Sequence, residues 1–290
     1  MLRLRFHLLS TAAVLMAAAA LLAPAQVQAE TYHTCKGFID SVPATISQQG
    51  VWCLRQDLST GIASGSVIIV AANNVTIDCN GFKLGGLGAG AGTATRGISA
   101  DGRYNATVRN CSIRGFYYGT YLAGGGGHLV ERNSYDSNTL GAIRVLGAGS
   151  TIRGNQVIDT GGSTLSTTNA YGIYAANGVD VIDNTVNGVA AIGANKTAYG
   201  ILTGANGDGS ITANRVRGLE ANGAGSTYGI YGNSDREVMR DNDVQQGAGV
   251  AGSIGVRCAG NQATARDNVI SGFAIGVQGC LSSGNTVNAN

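Results

Sequence analysis

The tripeptide Arg-Asp-Asn occurs at 240–242 and again at 266–268, so two carboxylates, Asp241 and Asp267, hold the same place in a repeated word. Two carboxylates about 5–5.5 Å apart can share the acid and nucleophile roles of a retaining glycosidase. Arg240 and Arg266 beside them offer a simpler use, a charge-balanced ladder. No catalytic residue is assigned, and this pair is the best candidate. His33 and His128 are isolated, no Cys-x-x-Cys pair exists and no metal site is expected. No Gly-x-Ser-x-Gly elbow is present. "GVAAIGANKT" at 188–197 imitates a phosphate loop, but two residues separate Gly193 from Lys196.

Other residues could bind rather than react. Tyr121, Arg144, Tyr174, Tyr231 and Arg257 share one offset in a recurring Gly-Ile word, and Arg215 and Arg217 flank Val216 in another. Aromatic faces stack on sugar C–H surfaces, and a guanidinium grips a carboxylate in a planar fork.

The words themselves show what must position these side chains. "YGIY" stands at 171–174 and 228–231, with "YGIL" at 199–202 between them. A second word, apolar-x-x-Asn-x-Val, ends at Val157, Val186, Val216 and Val244, with looser copies centred on Asn110, Asn133, Asn268 and Asn285. From each glycine of the first word to the next Asn the step is 12 to 14 residues, whereas the return step runs from 8 to 17. A constant half and a variable half describe a rigid cross-section with loops let out on one side.

Short β-branched runs bounded by Gly and Asn read as strands. Repeating them every ~22–30 residues gives a parallel β-solenoid in which each repeat is one coil. Like residues then stack about 4.8 Å apart, and a file of Asn side chains can hydrogen-bond along the stack. The glycines are assigned to sharp corners that need positive φ.

"ANNVTIDCNGFKL" at 72–84, "TVRNCSIRG" at 107–115 and the repeated words resemble the right-handed parallel β-helix, or pectin-lyase-like, superfamily. The likeness runs from about Ser66 to Asn290. It implies an all-β right-handed parallel β-helix, a fold shared by pectate lyases, polygalacturonases, alginate epimerases, phage tailspikes and non-catalytic periplasmic factors. The polygalacturonase set of paired aspartates, Gly-His-Gly and Arg-x-Lys is missing, as is the pectate lyase Asp-His segment.

Residues 30–65 lack the repeat and read as a short N-terminal cap over the raw end of the solenoid. No comparable segment follows the last coil, so self-association through an uncapped C-terminal end is expected. Stacking pairs the six cysteines as Cys35–Cys53, Cys79–Cys111 and Cys258–Cys280, because neighbouring coils fall within disulfide reach.

Registry in the Gly-Ile strands points one file outward: Ser99, Tyr121, Arg144, Tyr174, Leu202, Tyr231, Arg257 and Gln278. The variable loops at 159–170, 188–198 and 218–227 should form a wall between this ribbon and the Asn-x-Val strand, whose outward residues include Arg215, Arg217 and Asp243. Long loops on a rigid scaffold commonly carry function.

Arg3 and Arg5, the apolar run 12–23 and the "VQA" end at 27–29 read as a signal peptide over 1–29. The remaining chain, 30–290, balances 17 basic residues against 17 acidic ones once Arg3 and Arg5 are removed. That balance gives no reason to expect nucleic acid, and the apolar run is too short for membrane insertion. Forty-six glycines in a chain that is 44% hydrophobic, without a period of three, exclude collagen and argue against disorder.

The expectation is a secreted or periplasmic protein that binds, and could process, extended polysaccharide along the Tyr/Arg ribbon. The alternative is a non-catalytic structural or envelope-associated β-helix with no carbohydrate activity. No cofactor is expected, and calcium would be needed only by a lyase. A lyase or glycosidase would need clustered carboxylates, a base or calcium beneath the loops.

Overall fold

A computed structural model describes residues 32–165 and 168–288. The segment read as a signal peptide lies outside the described residues. From Thr34 onward the described residues form one compact unit. It is a right-handed parallel β-solenoid of about nine turns, the hand that parallel crossovers take.

Each coil passes through three strand positions. The first ladder holds eleven strands, running from Gly37–Phe38 to Leu281–Ser283. A tight corner leads to the second position, the Asn-x-Val strand, and a loop leads to the third, the Gly-Ile strand. Strands of the second and third positions belong to one continuous hydrogen-bonded sheet. Pairing is parallel throughout, with Val157, Val186 and Val216 stacked in one file and Ile143, Ile173, Ile201 and Ile230 in another. These files are fully buried. Alternation supplies them, since every second side chain of a strand faces the interior.

Between the first two positions runs the asparagine ladder. Asn133, Asn155, Asn184, Asn214, Asn242, Asn268 and Asn285 follow one another. In each step the backbone N–H and Nδ2 donate to Oδ1 of the next, at 2.8–3.1 Å. The residue before each Asn takes a left-handed conformation: Arg132, Gly154, Asp183, Ala213, Asp241, Asp267 and Gly284 have φ between 53° and 65°. At the N-terminal end Asn110 takes this turn position, and the ladder slot passes to Cys111, whose N–H donates to Asn133.

The glycines of the Gly-Ile word have a different cause from the one expected. Gly172, Gly200 and Gly229 do not have positive φ. An added Cβ would lie 2.5, 2.2 and 2.1 Å from Cγ1 of Val186, Val216 and Val244. They are glycine because two strands cross too closely for any side chain.

All three disulfides form as stacking requires, with Cα separations of 5.8, 4.7 and 5.0 Å for Cys35–Cys53, Cys79–Cys111 and Cys258–Cys280. Residues 37–59 contribute short strands to both sheets, Trp52 pairing with Ile77, Ala44 with Ile68 and Leu58 with Leu84. Among the described residues no helix is long and apolar enough to cross a membrane.

Candidate ligand-binding ribbon

The Gly-Ile strand faces inward at two consecutive residues, the glycine and the Ile. Both flanking residues therefore face outward, which gives two parallel files rather than one. The second file is the expected one: Ser99, Tyr121, Arg144, Tyr174, Leu202, Tyr231, Arg257 and Gln278 pair in unbroken register. The first file adds Arg96, Tyr118, Gly141, Tyr171, Tyr199, Tyr228 and Ile254. Sequence reasoning missed these tyrosines because a spacing of three normally sends two strand residues to opposite faces. The signal that could have found them is the glycine between, which marks the irregular step.

The ribbon gathers into two clusters. In the larger, Arg96 lies 3.8 Å from the centre of the Tyr121 ring, and Arg144 lies 4.5 Å from that of Tyr174. Arg144 also approaches Tyr118 and Tyr121, and donates to the Tyr171 hydroxyl at 3.1 Å. Tyr171 is buried because its ring lies over Gly141, where an added Cβ would come within 2.4 Å. In the smaller cluster, Tyr199 and Tyr228 stack at 5.2 Å with planes 11° apart, and Tyr231 meets both edge-on. Arg257 stands 5.9 Å from Tyr231 and donates to Gln278. The other ribbon residues named as binders, Tyr121, Tyr174 and Tyr231, are half-buried.

Charge on the ribbon is one-sided. Arg96, Arg144 and Arg257 form no ion pair among the described residues, and neither file contains an Asp or Glu. Arg144 Nε is buried without a hydrogen-bond partner. Burial pushes the Tyr199 phenol up to about 12, with Tyr228 and Tyr231 adding to the effect. Burial likewise raises Tyr118, and raises Tyr171 well above the usual range. The Tyr118, Tyr171 and Tyr199 phenols are therefore neutral at physiological pH, and among the described residues the two files carry no charged side chains besides the arginines.

The remaining candidates lie elsewhere. Arg215 and Arg217 sit on the Asn-x-Val strand and reach Asp243 at 3.4 and 2.9 Å. The loops between Gly161 and Ala170, Ala190 and Ala198, and Glu220 and Thr227 separate that strand from the ribbon. These loops stack: Thr197 N–H donates to Asn169 Oδ1 and Ala224 N–H to Asn195 Oδ1. Strand pairing takes up both ends of the segments expected to be loop, so the wall is shorter than the sequence implied. Asp241 and Asp267 are left-handed turn residues of the asparagine corner, and Asp241 binds its neighbour Arg240 at 2.7 Å. Short polar residues tolerate that conformation. Neither aspartate shares a face with the ribbon.

Two buried titratable groups stand where the chain enters the first ladder. His128 Nδ1 accepts the Ala106 N–H at 3.2 Å, so Nε2 carries the proton and donates to the Gly124 carbonyl. Burial lowers its pKa. Glu237 accepts a 2.9 Å bond from Thr203 Oγ1 and forms no ion pair among the described residues. Burial pushes its carboxyl up to about 8, against opposing hydrogen bonds from Thr203 and Ser234. Both groups look into the core and neither reaches the ribbon. Cavities of about 460, 430 and 420 Å³ also lie off the ribbon, the first outside the asparagine corner and the second between Asn206, Asp208, Asn233 and Asp235.

The architecture defines a right-handed parallel β-helix protein with an aromatic, cationic strip along one face. The sequence matches the family described as "Right handed beta helix region" over residues 96–223. No curated protein matches it. A similar solved structure is the tailspike protein of E. coli bacteriophage HK620 in complex with pentasaccharide, at 11% identity and a TM-score of 0.48. The match covers 89% of this chain and only 59% of that one. At that identity and score it says nothing about what the present chain binds.

Proposed function

We propose that this protein is exported and binds extended polysaccharide along the Tyr/Arg ribbon. The observation that carries the proposal is the ribbon's composition. Six half-buried tyrosines, the buried Tyr171 between them, and three arginines without carboxylate partners among the described residues line two files on a rigid scaffold. Such a strip offers ring faces to sugar C–H surfaces and guanidinium forks to acidic groups. Three disulfides support an oxidising compartment, the periplasm or the cell exterior. Binding rather than cleavage is proposed, because neither file contains a carboxylate, exposed Asp101 at the edge of the ribbon stands without a second one beside it in the files, and the carboxyl raised most among the described residues, Glu237, is sealed in the core.

A structural role without carbohydrate binding is favoured by one observation, the face-to-face stacking of Tyr199 on Tyr228, which takes one face of each ring. Affinity electrophoresis on neutral and acidic polysaccharides separates the two. Retardation by at least one acidic polysaccharide, weakened in Tyr174→Ala and Tyr231→Ala, supports the ribbon. No retardation by any leaves the structural reading. Ultraviolet absorbance and reducing ends measured on the same mixtures report any lyase or hydrolase activity.

A further inference from the structure

The ribbon's free charge is gathered toward one end. Arg96 and Arg144 lie in the larger cluster, and both guanidiniums approach a single ring, that of Tyr121, at 3.8 and 5.8 Å from its centre. In register, Arg96 belongs to the coil before Tyr121 and Arg144 to the coil after it. Beyond Tyr174 come Tyr199 and Leu202 on one coil and Tyr228 and Tyr231 on the next, with no cation in either file. Arg257, at the far end, already donates to Gln278.

Two positive charges held against one ring repel each other unless a negative charge joins them. Among the described residues neither arginine forms an ion pair, and Asp101, at the ribbon's edge, pairs with neither. Arg144 is nonetheless held in place. Its Nη1 donates to the hydroxyl of buried Tyr171 at 3.1 Å, and its guanidinium lies 4.5 Å from the Tyr174 ring centre. Stacking occupies the faces of a guanidinium and leaves its in-plane N–H groups to form hydrogen bonds. Among the described residues no protein group accepts from Arg144 Nη2 or from the Arg96 guanidinium. A side chain fixed in advance spares a ligand the cost of ordering it.

We infer that Arg96, Arg144 and Tyr121 form one carboxylate-binding site, which takes a uronic acid at this end of the ribbon, while the uncharged rings beyond Tyr174 take neutral sugar surface. This site rests on the ribbon reading and adds to it the place where the ligand's charge is read. A purely structural use of the two cations, as covers for the Tyr121 and Tyr174 rings, predicts otherwise. Their loss would then lower stability and leave the ligand's charge without effect.

The experiment is affinity electrophoresis of the full chain on alginate, polygalacturonate, hyaluronan and glucuronoxylan, each beside its carboxyl-reduced form at matched ionic strength. Reduction turns the carboxylate into a primary alcohol and leaves the sugar chain in place. At least one native polysaccharide should bind roughly ten-fold more tightly than its reduced form. Arg96→Gln and Arg144→Gln, each verified as folded at the assay temperature, should each lower that ratio by about three-fold or more, and together bring it near one. Arg266→Gln removes the same charge from an exposed position off the ribbon and should leave the ratio unchanged. Tyr231→Ala should weaken both forms alike. A ratio near one in the parent, or a ratio that survives both ribbon substitutions, overturns the carboxylate site and leaves the ribbon reading standing. A ratio that falls equally in Arg266→Gln belongs to net charge and overturns the site in the same way. Binding to no form of any of these polysaccharides overturns both.

Discussion

Replacing Glu237 with Gln should make the protein more stable as the pH rises, and the structure gives the size of the effect. The carboxyl fills the space left at Gly232, where an added Cβ would lie 2.4 Å from Glu237 Oε2 and 1.9 Å from Met239 Cε. It accepts from Thr203 Oγ1 and forms no ion pair among the described residues, so its charged form is the disfavoured one. The folded protonation midpoint is raised from 4.5 to about 8. Between those values the folded chain keeps a proton that the unfolded chain has lost. The contribution is complete below pH 4.5 and disappears as the pH rises through about 8. At 1.36 kcal/mol per pH unit the full span is about 5 kcal/mol, an upper value because opening of the turn before Val238 would relieve part of it. Gln keeps the acceptor for Thr203 and cannot ionise. Urea unfolding of both proteins from pH 4 to 9 is the assay. The difference between them should be near zero at pH 4 and should grow by several kcal/mol by pH 9. Parallel stability curves would refute the reasoning.

Other substitutions test separate parts of the structure. His128→Asn should keep the acceptor for Ala106 N–H and remove stability loss below about pH 6.5, because a histidine with a lowered folded pKa loses stability as the pH falls; acid-titrated melting of the variant and parent checks this. Asn184→Ala removes the acceptor of Asn155 N–H and Asn155 Nδ2 and two Nδ2 hydrogens shared among Ile152 O, Ile182 O and Asn214 Oδ1, so four bonds' worth in all. At about 1 kcal/mol each, denaturant unfolding should show a loss of about 4 kcal/mol. Gly200→Ala should cost about 1–3 kcal/mol through overpacking against Val216 and the Gly229 carbonyl, and the Val216→Ala background should recover only the side-chain part of that cost, the carbonyl at 2.6 Å remaining; fully additive losses would contradict the clash with Val216. Asp241→Asn with Asp267→Asn should leave polysaccharide binding unchanged in the same electrophoretic assay.

The parts of this molecule that repeat are those the sequence displayed. Asn155, Asn184, Asn214 and Asn242 announce a stacked corner because the same hydrogen bonds must be remade in each coil. The same regularity placed Cys258 beside Cys280, and Arg144 between Tyr121 and Tyr174. What stayed hidden depends on departures from the period. Gly172 and Ile173 both turn inward, so Tyr171 joins a face that strict alternation denies it. Glu237 enters the core only because Gly232 leaves room one strand earlier in the chain. That vacancy is a property of packing, which no local pattern reveals. Asp241 and Asp267 have a simpler cause of the same kind: a repeated carboxylate resembles paired catalytic groups, and left-handed turn geometry is a sufficient cause for Asp in both copies.

The ribbon itself is best tested by nuclear magnetic resonance of the tyrosine rings during titration with the tightest-binding acidic oligosaccharide. The account expects shifts at Tyr118, Tyr121, Tyr174, Tyr199, Tyr228 and Tyr231. The fully buried Tyr135 and the exposed Tyr104, off the ribbon, should stay still. Saturable binding that leaves the ribbon rings unmoved, or moves Tyr104 alone, would place the ligand elsewhere and contradict the account.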